Sequence, residues 1–396
     1  MTDWHKQEQK YMMGTFKRLP VTIVKGEGVR AWDDEGNEYL DFIGGLAVNV
    51  LGHSHPVVVK ALSKQARILI QTSNLVYTMP QLKLAKLLVD NSCLDKVFFC
   101  NSGAEACEGA VKLARRYGSL KLNGAWEVIT ATKSFHGRTL AMTAATGQSK
   151  FQDPYIPLPD GFVNVTYDDI EAMKAATNEK TCAVMMEPIQ GEGGVNVPSE
   201  GYLKAVRDWC DETGILLILD EIQTGIGRTG TLFAYEQCGV EPDIMTLAKG
   251  LGGGVAIGAF LAKDKVSVFE PGEHGSTFGG NPLACAAGIA TLNYMLKNDV
   301  VGNCRRVGGY LEKKLDGLRK KFGLVVGVRG GGLLLAMELS QVVAAECVAE
   351  CLHEGLLLNA VTPTAIRFMP PLIVTEKDVD EAVGIVERVL SRIENK

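Results

Sequence analysis

LLILDEIQTGIGRTGTLFAYEQCGVEPDIMTLAKGLGGG (residues 216–254) contains two short apolar runs, each ending abruptly in a charged residue. Residues 215–219 lead into Asp220, and residues 244–248 lead into Lys249, which glycines 250, 252, 253 and 254 follow. Short aliphatic runs bounded by turn formers read as buried strands. A carboxylate and an amine thus stand at the ends of two buried strands. A lysine bonds to a carbonyl only while neutral, so a reactive one belongs in a desolvated pocket or beside another cation. A pyridine ring that works as an electron sink needs a carboxylate at its nitrogen to keep it protonated. Taken singly, a strand-end Asp is usually a cap and a lysine is usually solvated. Together they suit one cofactor, pyridoxal phosphate.

The same pattern extends along the chain. Apolar runs near 96–100, 126–131, 181–186, 215–219, 243–247 and 257–262 alternate with helical patterns such as 104–117 and 202–212. This alternation predicts an α/β fold, a mainly parallel sheet with helices on both faces, and it puts ligands outside the carboxyl ends of the strands. From about 286 the pattern changes to long charged helices (304–321 and 376–393) with short strands around 324–328, 333–339 and 366–368, which predicts a smaller α+β domain. We expect residues 1–48 to pack on that smaller domain, 49–285 to form the large domain and 286–396 the small one. No internal repeat or low-complexity tract interrupts this plan.

Composition narrows the function. With 396 residues, 46% hydrophobic and 22% charged, the chain can bury a large core. Lys plus Arg number 41 against 46 for Asp plus Glu, a net charge of −5, so no basic face points to nucleic acid. The apolar runs fall far short of a membrane span, and the N-terminus does not read as a signal peptide. The ten cysteines show no CxxC pair, and Cys347 and Cys351 read as core-facing thiols of a helix, so a cytoplasmic protein is expected. His53 and His55 in Gly-His-Ser-His-Pro have no third ligand and read as a turn. The run of glycines 252–254 lacks the spacing and the acidic partner of a dinucleotide loop.

Other strand ends supply the remaining parts. Residues 98–100 end in Asn101-Ser102-Gly103-Ala104, which opens a helix; its free N–H groups and positive dipole end suit a phosphate on Ser102, Gly103 and Ala104. After the strand at 128–132, Phe135 can stack on a ring and Arg138 can take a carboxylate in a bidentate pair, although a packed aromatic and a surface arginine would read the same way. Glu187-Pro188-Ile189-Gln190-Gly191-Glu192-Gly193-Gly194 brings two carboxylates to the pocket mouth. Ser276 and Thr277 precede a helix starting at Pro282, and Arg367 sits in a short strand.

These residues, with residues 14–56, NSGAEA (101–106), FHGRT (135–139), EPIQGEGG (187–194), TLAKGLGGG (246–254) and STFGGNP (276–282), resemble the class III, fold type I pyridoxal-phosphate aminotransferases over nearly the whole chain. The resemblance implies a seven-stranded-type sheet and a homodimer with active sites at the subunit interface. It implies that Lys249 bonds the cofactor and then moves the substrate's proton, that Asp220 pairs with the pyridinium nitrogen, and that Gln223 lies near the ring oxygen. Phe135 would stack on the ring, Gly103 and Ala104 would hold the phosphate, Thr277 would reach the neighbouring subunit's phosphate and Ser276 its substrate. Arg138 would take a substrate carboxylate. Glu192 and Arg367 match a switch, paired until glutamate's α-carboxylate displaces Glu192. Leu46, where the branch acting on free ornithine carries tyrosine, points to the branch that moves the δ-amino group of N2-acetylornithine to 2-oxoglutarate. The other readings are a different ω-aminotransferase, for ornithine, 4-aminobutyrate or succinyldiaminopimelate, and a non-catalytic homologue.

Overall fold

The computed structural model describes residues 4–395, and among these the strands form three sheets. The largest runs in the order Lys96–Cys100, Gly258–Ala262, Ile244–Leu247, Leu216–Asp220, Thr181–Met186, Glu127–Ala131, Phe162–Val165. All neighbours pair in parallel except Gly258–Ala262, which is antiparallel to both of its own. This is the expected mainly parallel α/β sheet. The reversed strand puts its N-terminal end at the edge where the other strands end, with Gly258 opposite Cys100.

Period-two alternation explains how this sheet is buried on both faces. Leu217 and Leu219 join one apolar cluster with Val206 and Cys210 of the Tyr202–Thr213 helix. Leu216 and Ile218 join another with Cys107, Ala110 and Val111 of the Gly103–Lys121 helix. The next even position is Asp220, so the alternation that buries the strand also turns this carboxylate toward Cys107.

Helix boundaries follow their caps. Ser102 Oγ accepts the Glu105 N–H at 3.2 Å to open the Gly103–Lys121 helix, and Asn281 Oδ1 accepts the Ala284 N–H at 2.9 Å before Pro282. A reciprocal Thr375–Asp378 box opens Glu376–Glu394. The Pro282–Lys297 helix crosses residue 285 and packs on Pro56–Ala66 and Met79–Val89.

A four-stranded antiparallel sheet, Val325–Gly331, Leu334–Leu339, Ala365–Phe368, Asn359–Thr362, carries Arg367. In the third sheet the hairpin Ile23–Glu27 and Arg30–Asp33 continues through Glu38–Asp41 to Leu356–Leu357, so the N-terminal segment is hydrogen-bonded to the C-terminal part of the chain. Among the described residues no helix is long and apolar enough to cross a membrane.

Candidate active site

The carboxyl ends of the central strands open into a cavity of about 420 Å³. Ser102, Gly103, Ala104, Phe135, Arg138, Glu192, Asp220, Gln223 and Lys249 all line it, together with Asn101, His136, Glu187 and Val48. Arg367, Ser276 and Thr277 do not. Arg367 lies directly behind Glu192, whereas Ser276 and Thr277 sit on a loop outside this cavity. Leu46 is also absent from the lining.

Lys249 has a backbone φ of +38°, a left-handed conformation that costs a non-glycine residue strain. Its position after the buried strand and before the glycines holds it there, with the amine over the cavity. Burial, and then the Arg367 charge, bring its pKa down from 10.5 to about 8, against the opposing pull of Glu192, Asp220 and Glu187. A desolvated setting beside a cation is the condition a carbonyl-bonding lysine requires.

Asp220 is fixed from every side. Its Oδ2 lies 2.7 Å from His136 Nδ1 and 3.4 Å from Cys107 Sγ; its Oδ1 accepts from Thr246 Oγ1 at 3.1 Å and from the Ile222 N–H at 3.0 Å. Burial alone would raise this carboxyl, but the His136 contact and charge hold it below the usual carboxylate range. Burial conversely disfavours the His136 cation, and Asp220 overcomes that and raises the imidazole. The lowered carboxyl stays anionic, so Asp220 presents a negative charge to the cavity. Cys107, pushed well above its ordinary value by burial and by Asp220, serves as a thiol donor.

His136 and Glu187 are the participants that sequence reasoning left without a role. Glu187 was placed at the pocket mouth, but it is buried, with Oε2 accepting the Phe135 N–H at 3.1 Å and Oε1 the Gly191 N–H at 3.3 Å. Burial raises its pKa to about 7 despite the nearby His136 charge. Its position at the end of Thr181–Met186 was the available signal; His136 gave none, because its partner is 84 residues away.

Arg138 stays exposed at the mouth, its guanidinium 4.0 Å from the Phe151 ring centroid and 5.3 Å from that of Phe135, and among the described residues it pairs with no carboxylate. Arg367 is fully buried. Its Nη2 lies 3.0 Å from Glu192 Oε2, while Nη1 donates to Gly191 O at 2.9 Å and to Gln223 Oε1 at 3.2 Å. Ser276 Oγ accepts from Asn101 Nδ2 at 3.2 Å, and Thr277 is exposed.

This set fits a phosphorylated pyridine aldehyde. The helix terminus at Gly103 and Ala104 presents first-turn N–H groups, and a Cβ at Gly103 would lie 2.8 Å from Ile222 Cδ1, so the cradle is shaped by backbone. One cavity therefore holds an anion site, an aromatic face, a fixed carboxylate and a lysine of lowered pKa.

Comparison with known proteins agrees. Residues 12–390 match the family described as Aminotransferase class-III. Acetylornithine aminotransferase of Caldanaerobacter subterraneus subsp. tengcongensis is 54% identical, over 98% of each chain. That of Methanocaldococcus jannaschii is 49% identical over 99% of this chain and 98% of its own. Among solved structures, ornithine aminotransferase from Toxoplasma gondii superimposes with a TM-score of 0.96 at 34% identity, covering 99% of this chain and 95% of that one. Acetylornithine aminotransferase from Elizabethkingia anophelis gives 0.88 at 35% identity, covering 98% of each. The chain belongs to the class III aminotransferases, and pyridoxal phosphate is its cofactor.

Proposed function

We propose that this enzyme transfers the δ-amino group of N2-acetylornithine to 2-oxoglutarate, giving N-acetylglutamate 5-semialdehyde and glutamate, a step of arginine biosynthesis in the cytoplasm. The observation that carries the reading is the buried Arg367 paired at 3.0 Å with the part-exposed Glu192 at the cavity wall. A buried arginine is costly without a counter-charge. Glu192 supplies that charge while the amine donor is bound, and glutamate's α-carboxylate replaces it in the other half reaction. The names of the relatives support the acylated amine as donor.

The cofactor supplies the aldehyde that takes up the amino group and the ring that accepts electrons. The N–H groups of Gly103 and Ala104 hold its phosphate, and the Ser102 hydroxyl, whose oxygen already caps the helix, still has its proton to donate. Phe135, its N–H anchored on Glu187, would cover one ring face. Asp220, whose carboxyl His136 holds low, would keep the proton on the ring nitrogen, and Gln223 would lie near the ring oxygen. Lys249 would hold the cofactor through its amine and would carry the proton from the substrate carbon. Arg138 holds the carboxylate of N2-acetylornithine or the distal carboxylate of glutamate.

The enzyme acts as a homodimer, with Ser276 and Thr277 serving the partner's site. Support comes from the exposed apolar stretch that borders their loop: Leu75 and Tyr77 are each 93% exposed, and Asn74 and Gln71 bond to the carbonyls of Ser276 and Thr277. For the domain division we favour a boundary after the Pro282–Lys297 helix over one at 285; the packing of that helix on Pro56–Ala66 and Met79–Val89 supports it.

A second reading, ornithine as donor, is favoured by the close superposition on ornithine aminotransferase. Adding N2-acetylornithine, ornithine or 4-aminobutyrate separately to the holoenzyme without keto acid decides between them. Bleaching of the cofactor's visible band at far lower acetylornithine than ornithine concentration is expected; the reverse order would overturn the donor assignment.

A further inference from the structure

Arg367 has one charged neighbour that can leave and three neutral ones that stay. Beyond Gly191 O and Gln223 Oε1, its Nε donates to Asn359 Oδ1 at 3.0 Å. Asn359 stands directly opposite Arg367 in the antiparallel pairing of Asn359–Thr362 with Ala365–Phe368. An Nε–H can only donate, so the amide must turn its oxygen to the arginine. Gly191 is immobilised from both ends, its N–H on Glu187 and its carbonyl on Arg367. Only the Glu192 side chain is free to swing, and it is 36% exposed where Arg367 is 0%.

We propose that Asn359 is a specificity-determining positioning residue, a neutral acceptor that aims the Arg367 guanidinium at the pocket without compensating its charge. The inference rests on Arg367 being the α-carboxylate site proposed above. The physical reason lies in the residue type. A carboxylate at 359 would sit at the same 3.0 Å on the Nε edge and neutralise the arginine permanently. Glu192 would lose its hold, and an incoming α-carboxylate would meet no net positive charge. A neutral amide provides the same geometry and leaves the charge for the ligand. The same logic fits Gly191 O and Gln223 Oε1, which are also uncharged acceptors. Among its direct contacts every fixed one orients the arginine and only the movable one carries a counter-charge, while the buried Glu187 acts on it from farther away.

The experiment measures the two half reactions separately on holoenzyme by the change in cofactor absorbance, for Asn359→Asp, Asn359→Ala and Arg367→Ala. In Asn359→Asp the apparent KM for glutamate rises about tenfold or more while that for the amine donor changes little, the size expected for losing a charge-assisted contact. Asn359→Ala, which adds no charge, shifts glutamate in the same direction by less, and it decides the matter if the aspartate variant fails to bind cofactor. Equal changes in both half reactions, or none in glutamate's, overturn the proposal. Arg367→Ala separates the two levels. If it spares glutamate, the arginine assignment itself fails; if it abolishes the glutamate half reaction while both Asn359 variants behave as wild type, only the role of Asn359 fails.

Discussion

In the function proposed above, Lys249 bonds the cofactor, and it can do so only as a free amine, so attachment of pyridoxal phosphate to the apoenzyme reads its protonation directly. With the pKa brought from 10.5 to about 8, about a quarter of Lys249 is neutral at pH 7.5, against about one part in a thousand for an ordinary lysine. Arg367 is the second-largest cause of that shift, after burial. Replacing it with methionine removes a cation and leaves Glu192, Asp220 and Glu187 facing the ammonium unopposed, so both changes raise the lysine's pKa. One unit upward would slow attachment about tenfold at pH 7.5. The assay mixes apoenzyme with pyridoxal phosphate between pH 6 and 10.5 and follows the visible band. A midpoint near 8 in the wild type and a higher one in Arg367→Met are expected. A wild-type midpoint near 10.5, or no displacement in the variant, would refute the reasoning. Stability follows with the opposite sign from a favourable ion pair. A lysine with a lowered folded pKa destabilises the apoenzyme by about 3 kcal/mol below pH 8, and the penalty fades as pH rises toward 10.5. Apo Lys249→Met is therefore more stable than wild type near neutrality.

Three further outcomes are expected. Asp220→Asn keeps the side-chain shape but loses the charge that His136 sustains, so kcat falls by about a hundred- to a thousandfold, and the His136 imidazole, no longer raised by a carboxylate, titrates at lower pH by NMR. Glu187, raised from 4.5 to about 7, contributes stability that is fully present below its unfolded value and lost as pH rises through about 7; Glu187→Gln removes that slope, which thermal unfolding across pH 4 to 8 will show. Gly191→Ala places a Cβ inside the Gln223 amide, and overpacking of this kind costs about 1–3 kcal/mol, so a lowered Tm and weaker glutamate binding should appear together.

Much of the site was legible because each part stands where an apolar run stops. Asp220, Lys249 and the Ser102-Gly103-Ala104 turn end three strands of one sheet, and a parallel sheet gathers such ends at one edge. The Phe162–Val165 strand was missed because it is four residues long, only part-buried and interrupted by Asn164. Asn359–Thr362 was missed for a similar reason, since it is part-buried throughout and short. The reversal of Gly258–Ala262 left no trace in its apolar pattern, because a strand buried on both faces looks the same in either direction.

The sequence by itself determined the fold class and the cofactor, because these depend on periodicity and on residue types at strand ends, which are local properties, and its extended motifs carried the resemblance to the family. Only the tertiary structure decided that His136 holds Asp220 below the usual carboxylate range, that Glu187 ties Phe135 to Gly191, and that Asn359 joins Glu192 on Arg367. Those contacts join residues far apart in the chain, and hydrogen bonds and Coulomb energies depend on distances in space that no spacing along the sequence encodes.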